Sequence, residues 1–258
     1  MLIHSQIENL INHFDSISLD EMGKVRLMNR IDMKFITNRN VWLQLLPYFG
    51  KGHLVQEVNG QRIASYHTTY YDTLDNAMYL AHHNGKKNRE KIRMREYADT
   101  QQTFLEIKDK NNKGRTNKKR ILLPSTPEEC YGMENDFLKR NTPWQLRDLC
   151  PSIENYFKRI TLVNREKTER LTIDCDLFFR NLRTDLVYSL PELVIIELKQ
   201  DGNQQSTTTG MLADFHLHPA GFSKFCIGST LTNPELKHNR FKPTLIQINK
   251  ILNHGILS

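Results

Sequence analysis

Between Arg89 and Tyr97 the chain reads REKIRMREY, so that Lys91, Arg93 and Arg95 alternate with Ile92 and Met94. Two-residue alternation predicts a β-strand, whose successive side chains leave on opposite faces. The same grammar recurs along the chain. Arg30, Asp32 and Lys34 alternate with Ile31, Met33 and Phe35; Glu106 and Lys108 with Leu105 and Ile107; Lys118 and Arg120 with Lys119 and Ile121. Later, Arg170, Thr172 and Asp174 oppose Leu171, Ile173 and Cys175, and Glu197 and Lys199 oppose Ile196 and Leu198. A further amphipathic strand, Ile153 to Leu162, carries Arg159. One such strand is explained by a sheet with one wet face. Six or more with Arg, Lys, Asp and Glu on the polar face, and few Ser, Thr, Asn or Gln, call for another arrangement.

The positive charge is local. From Lys86 to Arg120 there are thirteen Lys and Arg against five Asp and Glu, whereas the other 223 residues carry 23 basic and 24 acidic side chains. The sequence predicts an α+β fold: an eight-stranded antiparallel β-barrel tunnel with a charged lumen, covered outside by α-helices. Eight strands leave a lumen just wide enough for side chains or one small ligand. About eleven cations (Arg30, Lys34, Lys91, Arg93, Arg95, Lys108, Lys118, Arg120, Arg159, Arg170, Lys199) would then face four carboxylates (Asp32, Glu106, Asp174, Glu197). Unpaired buried charge costs several kcal/mol per ion, so the excess predicts a bound polyanion. Guanidinium groups grip phosphate oxygens bidentately. The few acids either orient the cations or hold a hard divalent metal through oxygen, with Glu197 the first candidate ligand against a structural ion pair to Lys199 or an arginine.

Other classes are poorly served. There is no Gly-rich phosphate loop followed by Lys-Ser/Thr, no G-x-G-x-x-G after a strand and no kinase signature. A nucleic-acid module would interleave aromatics with its cations, and here Tyr97 and Phe104 sit by the hairpin turn. The four cysteines form no Cys-x-x-Cys pair and the ten histidines lack metal spacing, which points to a reduced compartment. No apolar run reaches the roughly 18 residues of a membrane span, and the N-terminus reads as no secretory leader. A cytoplasmic protein is expected.

Between the strands, Ser18 and Glu21 predict a capping box, Thr37 or Asn38 caps a helix up to Pro47, and Asp72 or Thr73 caps a short helix through Ala77. A Gly-rich loop is expected around residues 50–60. Glu128 to Asn141 and Leu245 to Leu252 read as helices, and FSKFCIG, residues 222–228, as a connecting piece. No linker divides the chain.

In order, RIDMKF, YYDT, REKIRMREY, FLEIKDK, a K-x-R strand, RLTID, VIIELK and FSKF resemble the VTC-type polyphosphate polymerase domain of the triphosphate tunnel (CYTH-like) superfamily. The resemblance runs from about Asp20 to Gly228 and implies one tunnel domain over residues 1–258, its core about 20–228 and a helical extension at 229–258. It implies a metal-dependent phosphotransferase that moves the γ-phosphate of ATP onto a growing polyphosphate chain, with Mn²⁺ or Mg²⁺. ATP and inorganic polyphosphate are the implied partners, without nucleic acid or a membrane span, and with no oligomeric state specified. Arg93, Arg95, Lys108, Arg159 and Arg170 are the implied catalytic cations. Arg30, Lys34, Lys91, Lys118, Arg120, Lys199 and Lys224 are the implied phosphate-binding set, and Glu197 the metal ligand. Arg30-x-Asp32-x-Lys34 departs from the E-x-E-x-K of hydrolytic members, and Gly221 stands where the eukaryotic polymerase has a lysine. The alternatives are hydrolysis of a triphosphate in the same tunnel, and a non-catalytic polyphosphate- or nucleotide-binding module.

Overall fold

The computed structural model describes residues 2–23, 25, 30–111, 116–124, 127–202 and 206–253. In chain order the strands are β1 (Ser16–Ser18), β2 (Arg30–Asn38), β3 (His53–Glu57), β4 (Ala64–Asp72), β5 (Arg89–Tyr97), β6 (Gln102–Lys110), β7 (Thr116–Leu123), β8 (Cys150–Asn164), β9 (Glu169–Asn181), β10 (Val187–Leu190) and β11 (Leu193–Asp201). The α-helices are α1 (Leu2–Ile11), α2 (Leu19–Gly23), α3 (Arg39–Phe49), α4 (Ala77–His83), α5 (Pro127–Asn141), α6 (Thr207–Asp214), α7 (Lys224–Thr232) and α8 (Lys242–Leu252).

All eleven strands join one sheet. Its main path runs β2-β11-β9-β8-β4-β5-β6-β7, with β1, β3 and β10 attached beside it. Every pairing along that path is antiparallel. This corrects the expected closed eight-stranded barrel: the path has eight strands, the sheet has eleven, and among the described residues no pairing joins β7 to β2. Alternation specifies which face a side chain takes, but leaves open whether the two edge strands meet. The β7 edge presents Lys118, Lys119 and Arg120 in exposed positions, and a lysine- and arginine-rich edge is a common way to prevent strand addition.

The outer face is covered by helices, as the alternation predicts. Ile7 and Ile11 of α1, Trp42, Leu45, Leu46 and Phe49 of α3, and Leu212 of α6 pack on Phe35, Ile160, Leu162, Leu171, Ile173, Val194, Ile196 and Leu198. On the other flank Ile92, Leu105, Ile107 and Leu123 share a buried cluster with Leu138 of α5. The predicted caps form: Ser18 and Glu21 exchange backbone bonds, and Asn38 accepts from the Val41 N–H at 2.9 Å. Asp72 accepts from the Met78 and Tyr79 N–H groups at 2.8 and 2.9 Å, so one buried carboxylate satisfies the start of α4.

The inner face is two-toned. Along β9 the even residues Arg170, Thr172 and Asp174 face inward, and then a bulge at Asp176, with φ +53°, shifts the phase. An inserted residue exchanges the two faces of a strand. Beyond it Leu177 and Phe179 point inward and join Ile153, Phe157 and α7 in one cluster. The α7 helix therefore occupies the apolar half of the concave face. FSKFCIG is thus no connector but the start of this helix, because the Ser223 side chain caps it by accepting from the Cys226 N–H. The loop expected near residue 50 likewise contains β3. Gly228 is what lets α7 approach: a Cβ there would lie 2.4 Å from Phe179 Cδ1 and 2.8 Å from Ile153 Cδ1. Gly228→Ala is expected to lower unfolding free energy by about 1–3 kcal/mol, the range for overpacking a tight core, as measured by urea denaturation. An unchanged midpoint would show that α7 is not seated there.

Candidate functional site

The charged half of the concave face holds a cavity of about 370 Å³. Every strand of the main path contributes to its wall, from Asp32 and Lys34 on β2 to Lys118 on β7, together with Ser223 and Lys224 at the start of α7. The two flanks thus face each other across the cavity even though, among the described residues, their edges do not pair. Lys108 on β6 feels the charge of Glu197 on β11, and Arg95 on β5 that of Arg159 on β8.

Register builds the cationic wall. Lys91 lies opposite Lys108, which lies opposite Lys118, so three lysines stand abreast across β5, β6 and β7 with no carboxylate between them. Like charges directly opposite one another destabilise a sheet by roughly 0.2–1 kcal/mol per pair. The next row is Arg93, Glu106 and Arg120. Here Glu106, fully buried, accepts from Arg93 Nε at 2.8 Å and Nη2 at 2.6 Å and also pairs with Lys118. Burial opposes its charged form, yet Arg93, Arg95 and Lys118 outweigh burial and hold the carboxyl at about 2.

A second clamp sits across the cavity. Arg159 donates to Asp174 at 2.5 and 2.7 Å, and Lys224 pairs with the same carboxylate. Burial disfavours the Asp174 charge, and Arg159 and Lys224 more than restore it, driving its pKa far down. The third carboxylate, Glu197, lies 2.8 Å from Lys199 Nζ, with Asp32 on the same ammonium at 3.7 Å. Burial again opposes and Lys199 and Lys34 outweigh it, so Glu197 is ionised.

Neutral groups contact several of the remaining cations. Lys34 donates to the Phe222 carbonyl and Lys91 to Ser223 Oγ, both at 3.0 Å. Arg95 reaches Thr68 Oγ1 at 3.2 Å and lies over the Tyr66 and Phe157 rings. Arg170 lies 3.5 Å from the Met22 and Val25 carbonyls. No hydrogen bond or ion pair holds Lys108 among the described residues, and the Arg93 charge, with burial, lowers its pKa to about 6.

The structure therefore brings together Lys34, Lys91, Arg93, Arg95, Lys108, Lys118, Arg159, Arg170, Glu197, Lys199 and Lys224 on one cavity wall. Arg120 is exposed and stacks 4.5 Å over Phe104, apart from that wall. Arg30 opens β2, and its side chain lies outside the described residues. Tyr70 was not singled out by the sequence, because a tyrosine in YYDT reads as core. It is buried, its hydroxyl accepts from Arg93 Nη1 at 3.2 Å, and Arg93, Arg95 and Lys91 overcome burial to bring its pKa down to about 8.

Among the described residues no group of three or more His, Cys, Asp or Glu could hold a metal. Glu197 and Asp32 fit only an ion that takes its other oxygens from phosphates and water, as Mg²⁺ does.

Two expected outcomes follow from these pKa directions. An anion in the cavity favours protonated Lys108, so at pH 7 tripolyphosphate should bind with proton uptake and bind more weakly as pH rises above 6. Calorimetry in buffers of different ionisation enthalpy measures this, and Lys108→Met should remove it. Glu106 ionises in the folded chain at about 2 against an ordinary 4.5. Its contribution to stability is therefore present above pH 4.5 and lost as pH falls toward 2. Glu106→Gln should flatten that part of the stability profile and, by leaving Arg93 unpaired, cost about 3–5 kcal/mol at neutral pH.

Residues 29–233, about four-fifths of the chain, match the family model described as VTC domain. No curated protein matches the chain. Among solved structures it is similar to a proposed adenylyl cyclase from Hippeastrum described as having a dominant triphosphatase activity, at 16% identity and TM-score 0.47 over 78% of this chain and 95% of that one. It is also similar to a proposed adenylate cyclase from Vibrio parahaemolyticus, at 12% identity and TM-score 0.45 over 78% and 99%. A third likeness is to the PH1819 protein of Pyrococcus horikoshii, at 9% identity and TM-score 0.44 over 76% and 97%.

Proposed function

The chain belongs to the VTC domain family, and from that premise and the cavity we propose that it is a polyphosphate polymerase, passing the γ-phosphate of ATP to a phosphate chain. The observation that carries this reading is the row Lys91, Lys108, Lys118, three lysines abreast on the wall of one cavity with no carboxylate in the same row. A dense anion opposite such a row would offset its mutual repulsion. Arg89, Lys91, Arg93 and Arg95 occupy alternate positions of β5, a run of about 20 Å at 3.3–3.4 Å per residue. A track of that length suits a linear polyanion better than a single phosphate.

Transfer favours a phosphate acceptor over water on the same grounds. Glu106, Asp174 and Glu197 are each engaged by a cation, and Lys108 regains its proton once an anion binds. A water nucleophile would need a general base from this set. The terminal oxygen of an ionised phosphate chain needs none. In the proposed step that oxygen forms a bond to the γ-phosphorus, the bond from γ-phosphorus to the β,γ-bridging oxygen breaks, and ADP departs with the electron pair. Arg93 and Arg95, fixed by Glu106 and Thr68, position the triphosphate, while Lys108 and Lys118 offset its charge. Arg159 and Lys224, oriented by Asp174, face the same phosphates across the cavity. Mn²⁺ or Mg²⁺ on Glu197 and Asp32 would, when bound, neutralise charge on the transferring group. Catalysis here rests on positioning and charge, as phosphoryl transfer allows.

Incubating the protein with ATP and Mn²⁺ tests the reading. Long phosphate polymers and ADP are expected; orthophosphate alone would replace polymerisation by hydrolysis, and binding without product would leave a binding module. Arg93→Ala with Arg95→Ala should reduce turnover at least 100-fold, the scale for removing electrostatic stabilisation of a transition state, and turnover within threefold of wild type would refute the assignment.

A further inference from the structure

A wider chamber of about 570 Å³ adjoins the cavity and shares its wall at Lys34, Lys91, Lys108 and Glu197. Its other cations are Arg89, Lys110 and Arg240. Arg240 lies beyond residues 29–233, the span of the family match, in the turn that leads into α8. Its position is set by packing. The Tyr79 hydroxyl donates to the Lys237 carbonyl at 3.0 Å, and the Phe241 ring stands edge-on to Tyr79 and His83 with centroids 5.8 and 5.5 Å apart. The guanidinium lies over the turn into β5: a Cβ on Gly85, whose φ is +69°, would be 2.9 Å from Arg240 Nη1.

Arg240 is exposed, and among the described residues no carboxylate pairs with it. Three carboxylates reach the chamber wall, Asp32, Asp109 and Glu197, and Lys199 already engages Asp32 and Glu197. Six cations thus meet a smaller acidic set, and the excess continues the inner track outward. Gly221, also on the chamber wall, offers no side chain and has nothing within 4 Å of a notional Cβ, leaving open space for a ligand there.

We propose that this chamber binds the part of a phosphate chain that extends beyond the inner cavity, and that Arg240, with Arg89 and Lys110, is its anion-binding side chain. The proposal rests on the inner cavity being a phosphate-chain site, and the α8 turn becomes part of the binding surface. A chain long enough to enter both chambers gains these contacts, whereas a tripolyphosphate held at Arg93, Arg95 and Lys108 does not.

The test is chain-length dependence of binding, measured by calorimetry with tripolyphosphate, ATP and long-chain polyphosphate and no turnover. Arg240→Ala should weaken long-chain polyphosphate about 3- to 10-fold and Arg240→Glu more, while tripolyphosphate stays within twofold. By counterion release, the slope of log K against log salt for the long chain should become shallower by about 0.7–0.9, one phosphate contact. The thermal midpoint of Arg240→Ala should equal that of the wild type, which separates loss of contact from loss of fold. Equal loss for both chain lengths, or none for either, overturns the proposal, as does a loss confined to ATP, which would give the chamber to the nucleoside. Binding of long chains that depends on Arg240, with no polymer formed from ATP, would sink the polymerase reading and leave this one standing.

Discussion

The structure turns on an imbalance of charge inside a concave sheet. Ten cationic side chains and three carboxylates line the inner cavity, with Glu106 buried behind them. Two carboxylates act as clamps, Glu106 between Arg93 and Lys118 and Asp174 between Arg159 and Lys224, one on each flank. Each makes a buried cation tolerable, because a buried charge is costly unless paired and hydrogen-bonded. The clamps also remove these acids from chemistry, since both are held fully ionised. What remains is the row Lys91, Lys108 and Lys118, whose mutual repulsion a bound anion would offset.

That repulsion is sustained by apolar packing elsewhere. Helices α1, α3 and α6 bury one outer flank and α5 the other, while α7 fills the apolar end of the concave face. The bulge at Asp176 links the two halves. By shifting the inward phase of β9 by one residue it lets a single strand present Asp174 to the cations and Leu177 and Phe179 to α7. The same helix returns Ser223 and Lys224 to the cavity, so the element that closes the apolar end also finishes the charged one.

The strand faces were legible in the sequence because the side-chain period of a β-strand is two residues and depends on nothing distant. Lys91, Arg93, Arg95, Glu106 and Lys108 take the inward face that alternation assigns them, and the resemblance to the VTC-type domain agrees with the family match over residues 29–233. Lys224 was accessible only through that resemblance, since FSKF has no period to read. Tyr70, Ser223 and Arg240 carried no local signal at all.

From its sequence alone this chain determined which residues share a face, where α2, α3 and α4 are capped and that its cations outnumber their partners, since all three are set by near neighbours along the chain. Tertiary structure decided which cation each acid would hold, that the sheet curls with no pairing of β7 to β2 among the described residues, and that α7 enters the concavity. Those outcomes depend on register, a bulge and edge strands meeting across long separations, and the alternation of residues is the same whichever way they fall.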